Sequence, residues 1–84
     1  IGGEEFVLVL PNENSQSALK IAERLRKTVE STNMETIGFI TISIGIATWP
    51  EHSNDIDQVY KCADKALYHA KEHGRNQCIV ADIS

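Results

Sequence analysis

The stretch GFITISIGIATWP, residues 38–50, decides the architecture. Ile40, Ile42, Ile44 and Ile46 hold every even position, and Thr41, Ser43, Gly45 and Ala47 hold the odd ones. Side chains in a strand alternate between its two faces, so this pattern predicts a strand with one apolar face and one face of small residues. The apolar face needs a covering layer. The small-residue face lets another element or a ligand come close. Trp49-Pro50 terminates the strand.

The flanks supply the layers. Upstream, Phe6-Val7-Leu8-Val9-Leu10 reads as a strand buried on both faces, closed by Pro11 and Asn12. Asn14 or Ser15 then caps a helix whose apolar positions Ala18, Leu19, Ile21, Ala22, Leu25 and Val29 follow the three-four spacing of one buried stripe. Ser31-Thr32-Asn33 ends it. Downstream, Asn54 or Asp55 caps a second helix, and Asp55 with Gln58 fits a capping box loosely. Its stripe is Ile56, Val59, Tyr60, Ala63, Leu67 and Ala70, and Gly74 is placed to stop it in a left-handed cap. Residues 77–81 read as a last strand. The order β-α-β-α-β predicts an α/β layered unit, with helices crossing between strands.

The chain has 84 residues, enough for one small domain. Hydrophobic residues make up 42%, which fits a globular class and argues against disorder. The net charge is −4 and there is no basic stripe, so a nucleic-acid partner is not expected. The longest apolar run, residues 6–10, is far too short to span a bilayer, and no membrane contact is expected from this segment. Cys62 and Cys78 are far apart, without metal-like spacing, and read as free thiols of a reducing cytosol.

Gly2-Gly3 suits a two-residue hairpin turn, which needs positive φ. Only the outgoing arm follows it, so the incoming strand is expected before Ile1, and the segment reads as the second half of a domain that begins at the turn. The turn also has chemical potential. Two glycines let backbone approach a phosphate, and Glu4 and Glu5 supply the hard oxygen ligands that Mg²⁺ combines with phosphate oxygens. Adjacent strand residues point to opposite faces, so the two acids are expected to do different jobs unless the turn bends them together. The bland alternative is a charged turn beside a buried strand.

Three motifs occur in order: GGEEF at 2–6, TISIGIA at 41–47 and ADKALYHAKEHGRN at 63–76. Together they resemble the GGDEF family, the bacterial diguanylate cyclases, with the naming motif in its Glu-for-Asp form. The resemblance runs over nearly the whole chain. It implies a partial ferredoxin-like nucleotide-cyclase palm, an α/β (α+β) fold with a mixed sheet and two helices. The segment 1–84 would be the C-terminal portion of a single GGDEF domain.

The resemblance further implies that the intact domain condenses two GTP into cyclic di-GMP and two pyrophosphates, with Mg²⁺ or Mn²⁺ on the triphosphate. A second GGDEF domain would be the partner, as a homodimer, and a sensor domain would lie upstream. Glu4 and Glu5 would be the catalytic, metal-ligating acids; Gly2 and Gly3 would lie against the nucleotide; Lys71 and Arg75 would grip the terminal phosphates; and Phe6 would anchor the hairpin by packing. Without the resemblance, Lys71 and Arg75 would simply complement a helix C-terminus, worth about 0.3–1 kcal/mol. Ser43 and Gly45 read as structural, and Asp64 as a solvated or pairing acid. The family's other half carries further metal and guanine ligands, so this segment alone is expected to be inactive. The runner-up function is a non-catalytic GGDEF module that binds GTP or cyclic di-GMP as a regulatory receptor. The setting implied is bacterial signalling in the cytoplasm, compatible with a parent anchored to a membrane through its N-terminal region.

A rival constellation is Cys62, His69 and His73, at intervals of seven and four on one flank of the second helix. A His pair four apart can bind Zn²⁺, but the acid beside the first His and a fourth ligand are missing. Surface histidines and a half-buried thiol are the expected reading.

Overall fold

A computed structural model describes residues 3–82. The elements are β1 (Glu4–Pro11), α1 (Ser15–Glu30), β2 (Ile42–Trp49), α2 (Ile56–Glu72) and β3 (Cys78–Val80). The sheet order is β1-β2-β3. Both pairings are parallel, with Glu5 opposite Ser43 and Val7 opposite Gly45 on one side, and Gly45 opposite Ile79 on the other. A mixed sheet was expected. Among the described residues the ladders are parallel because each strand reaches the next through a helix, and such a crossover returns the chain in the same direction.

β2 is the centre. Its residues from Ile42 to Thr48 are all buried, and its two faces serve different helices. Ile42, Ile44 and Ile46 pack with Ala18 and Ala22 of α1, and with Leu8 and Leu10 of β1. Burying each isoleucine contributes roughly 1.5–3 kcal/mol. Ala47 on the opposite face packs with Val59, Ala63 and Ala66 of α2, and with Val7 and Val9 of β1. The result is a three-layer sandwich, helix on sheet on helix.

The small-residue face admits an element, not a ligand. A Cβ at Gly45 would collide with the Ala63 carbonyl oxygen and the Leu67 backbone nitrogen, so α2 lies directly against the strand there. Ser43, one pleat away, is buried and accepts a hydrogen bond from the Asn76 N–H at 3.1 Å.

The helix ends follow the sequence. Asn14 caps α1, its Oδ1 accepting from the Ser17 N–H at 2.8 Å. Asp55 caps α2, accepting from the Asp57 N–H at 3.0 Å. The stripes are wider than the cover. Ile21, Leu25, Ile56 and Tyr60 are each about half exposed, because they reach past the edges of a narrow sheet. β1 also departs from expectation. Its residues Val7 to Leu10 alternate between the two core clusters but are only half-buried, since β1 pairs on one edge alone among the described residues. Phe6, expected to be a packing anchor, is 50% exposed.

Cys78 sits at the α1 side of β3, packed against the isoleucine cluster. Burial, reinforced by the nearby Glu23 carboxylate, pushes its thiol up to about 12. The thiolate is the nucleophile, so Cys78 should be almost unreactive at pH 8. Mass-spectrometric mapping after iodoacetamide treatment at that pH should find it unmodified in the folded protein and labelled after denaturation. Rapid labelling of Cys78 in the folded state would contradict the packing described.

Candidate functional site

The site is built at the C-terminal end of α2. His73 caps the helix, and its N–H reaches back to the Ala70 and His69 carbonyls. Gly74 follows at φ 107°, and the Arg75 N–H then donates to the Ala70 carbonyl at 2.9 Å. A bond from the second residue past the cap to the third before it is the Schellman closure, and its positive φ favours glycine. Gln77 braces the turn, its Nε2 donating to the carbonyls of His73 and Arg75 at 2.8 and 3.0 Å. The chain stays left-handed beyond the glycine, with Arg75 at φ 61° and Asn76 at φ 48°. Non-glycine residues disfavour this region, and asparagine tolerates it better than most.

From this turn Arg75 reaches across to β1. Its Nη1 lies 2.7 Å from Glu5 Oε2, and Lys71 Nζ lies 3.4 Å from Glu5 Oε1. The two cations thus converge on one carboxylate. The Arg75 hydrogen bond holds the Glu5 carboxyl below its ordinary value of 4.5; desolvation opposes this, and Lys71 adds to the lowering. A lowered carboxylate contributes its pairing above the ordinary value and loses it as pH falls through the depressed one. The contact is therefore intact at neutral pH and is lost only in acid below 4.5. Because the groups are exposed to solvent, the pair adds little to stability. Its significance is placement. A helix C-terminus repels anions, and here two cations outnumber the one acid they hold.

The acids are divided between faces. Glu5 shares the odd-numbered face of β1 with Val7 and Val9, which pack with α2. Glu4 shares the even-numbered face with Leu8 and Leu10, which pack with α1. In a regular strand the pleat separates them. The structure thus brings Glu5, Lys71 and Arg75 together and sets Glu4 one pleat away. Gly3 is explained by packing. A Cβ there would stand 2.7 Å from the Thr41 carbonyl oxygen, beside the bond that the Glu4 N–H donates to it. Gly2, and with it the hairpin turn, lies outside the described residues.

Among the described residues, no three side chains converge as a metal cage. The donors that are present, Glu4 and Glu5, fit a different mode. Mg²⁺ is usually held by one or two carboxylates, with substrate phosphate oxygens and water completing its shell. On α2 the His73 Nδ1 is 2.7 Å from the His69 carbonyl oxygen, so that nitrogen is engaged with backbone. A cavity of 360 Å³ between α2 and β3 is lined by Lys61, Cys62, Lys65 and His69 among others, and by none of Glu4, Glu5, Lys71 and Arg75.

Sequence pattern gives no role to three polar residues, of which Arg26 and Asn76 adjoin the site and His52 lies at the opposite end of the sheet. Arg26 and Asn76 are hydrogen-bonded at 2.9 Å, and buried His52 bridges the Thr48 N–H and the Ala81 carbonyl, each at 2.9 Å. Asn76 had one usable signal, an asparagine two residues beyond a helix-ending glycine, where left-handed backbone is tolerated. The other two contacts join residues with no shared periodicity.

Comparison with known proteins shows the family. The family described as diguanylate cyclase, GGDEF domain, matches residues 1–77. The probable diguanylate cyclase DgcT of Escherichia coli K12 is 38% identical over 99% of this chain and 20% of its own length. Diguanylate cyclase DgcM of the same strain is 42% identical over 95% of this chain and 19% of its own. Diguanylate cyclase A of Treponema denticola is 39% identical over 90% of this chain and 21% of its own. The chain therefore spans about a fifth of the length of these relatives. No solved structure matches it.

Proposed function

Because the chain belongs to the GGDEF family, we propose that residues 1–84 form the C-terminal portion of a diguanylate cyclase domain whose intact form converts two GTP into cyclic di-GMP and two pyrophosphates. The observation that carries this reading is the convergence of Lys71 and Arg75 on Glu5, beside the start of β1. Two cations fixed at one point, against an unfavourable helix end, suit a polyanionic ligand better than a structural ion pair would require. Glu5 stands where a phosphate oxygen would be received. A bound triphosphate would replace that carboxylate on Lys71 and Arg75, leaving Glu5 free to act as a metal ligand.

The chemistry is nucleotidyl transfer. The 3′-oxygen of one GTP attacks the α-phosphorus of the other, and the bond from that phosphorus to pyrophosphate breaks. The 3′-oxygen of the second GTP then attacks the α-phosphorus of the first, and departure of the second pyrophosphate closes the ring. Each domain holds one GTP, so two domains must meet as a homodimer. Lys71 and Arg75 grip the terminal phosphates and take up charge on the leaving pyrophosphate. Glu4 and Glu5, on opposite faces of β1, would each offer a carboxylate to Mg²⁺ or Mn²⁺, which would neutralise the phosphates and acidify the attacking hydroxyl. Gly2 and Gly3 let backbone lie close to the nucleotide. No helix among the described residues is long and apolar enough to cross a membrane. A reaction that consumes GTP fits a bacterial cytoplasmic setting, and on this reading a sensor domain would lie upstream in the same protein.

The test is binding in the full-length protein. Lys71→Ala and Arg75→Ala should each weaken GTP, titrated with Mg²⁺, by roughly ten- to hundredfold, the worth of one charge-assisted hydrogen bond. Guanosine should bind equally well to all three proteins. Unchanged GTP affinity in both variants would return the pair to a helix-end role.

A further inference from the structure

Arg75 is held from a second direction. Its neighbour Asn76 is also left-handed, and its side-chain amide and backbone N–H are hydrogen-bonded. The Asn76 Oδ1 accepts from Arg26 Nη1 at 2.9 Å, its Nδ2 donates to Glu30 Oε2 at 2.7 Å, and its N–H donates to Ser43 Oγ at 3.1 Å. Arg26 is a firm anchor. Its side chain is only 13% exposed, its Nε donates to Glu23 Oε1 at 2.9 Å, and its Nη1 lies 3.6 Å from Glu30 Oε1. The hydrogen bond and charge of Arg26 hold Glu23 below the usual carboxylate range.

These ties cross the sheet. Arg26 and Glu30 belong to α1, on the isoleucine face of β2; Lys71 and the turn at 73–76 belong to α2, on the opposite face. Ser43, buried in β2, stands between the two. Asn76 is therefore the point at which one helix fixes the turn that ends the other. Two consecutive left-handed non-glycine residues are an unfavourable conformation that persists only where its surroundings hold it.

We infer that Arg26 and Asn76 are positioning residues for the candidate phosphate site: their hydrogen bond locks the 74–76 turn so that the Arg75 guanidinium projects toward Glu5. This rests on the phosphate reading above. Neither residue touches the ligand; both act through Arg75.

The experiment is calorimetric titration of the full-length protein with GTP and Mg²⁺, with guanosine in parallel and a melting curve for each variant. Asn76→Ala removes the tie and the tolerance for left-handed backbone. Asn76→Gly removes the tie alone, because glycine enters that region freely. Each should lose roughly tenfold in GTP affinity, about the worth of one charge-assisted hydrogen bond, and nothing for guanosine. On an Arg75→Ala background, Asn76→Ala should cost no further affinity, since residues that act through one group are not additive. Asn76→Gly binding GTP as the parent does, or losses that add in the double variant, would overturn the inference while leaving the phosphate reading intact. An Arg75→Ala variant with undiminished GTP affinity would refute the phosphate reading itself, and the inference with it.

Discussion

Gly45→Ala is expected to lower the melting temperature by roughly 10–20 °C. The added Cβ would meet backbone atoms of α2 at Ala63 and Leu67, and backbone cannot rotate aside as a side chain can. Overpacking usually costs about 1–3 kcal/mol, and a clash with two helix residues at once belongs at the upper end. Folded proteins have only about 5–15 kcal/mol in total, so such a loss is a large fraction of it. Ile21→Ala is the control. It removes three carbons from a side chain that is half exposed, and should shift the melting point far less. Calorimetry of the two variants decides the point, and an unchanged melting temperature for Gly45→Ala would mean that α2 does not lie against β2.

Glu4→Gln is expected to abolish cyclase activity in the full-length protein while leaving its melting temperature unchanged. The side chain is exposed at the start of β1, so neutralising it disturbs no packing. Its proposed work is to hold the divalent cation, whose charge stabilisation grows toward the transition state. Such stabilisation is worth several kcal/mol, and each 1.4 kcal/mol is tenfold, so product formation should fall by at least about a hundredfold. Glu5→Gln should behave differently. It frees Lys71 and Arg75 from their ion pairs as well as removing a metal ligand, so metal-free pyrophosphate should bind the variant more tightly than the parent. The contrast between the two variants would separate roles that the motif alone leaves joined. Near-normal cyclic di-GMP formation by Glu4→Gln would remove Glu4 from the site.

Much of the fold is legible in local pattern. The alternation through 40–47 identifies β2 and predicts unlike faces, and the structure fills those faces with unlike partners. Asn14 and Asp55 act as caps, and Gly74 ends α2 at positive φ, because capping chemistry is decided within a few residues. What periodicity cannot supply is the extent of the cover. Ile21, Leu25, Ile56 and Tyr60 lie on the inward side of their helices, yet the sheet beneath them is too narrow to bury them. Strand direction is equally hidden, because it depends on where a helix returns the chain. Within the site, Arg75 and Glu5 are 70 positions apart and Arg26 and Asn76 are 50 apart. The family resemblance assigns Arg75 to phosphate and Glu5 to metal in one nucleotide site, without pairing them with each other. The second pair had nothing to group it, since a hydrogen bond across a sheet leaves no mark on sequence spacing.

On the proposed function, this segment supplies the metal acids and the phosphate-gripping cations of a working cyclase. Incubating the full-length protein with GTP and Mg²⁺, and quantifying cyclic di-GMP and pyrophosphate together, tests it most directly. The expected result is cyclic di-GMP accompanied by two pyrophosphates for each molecule formed, lost when Mg²⁺ is chelated and sharply reduced by Arg75→Ala. Saturable GTP binding with no product would contradict it, and would make the protein a nucleotide receptor instead of an enzyme.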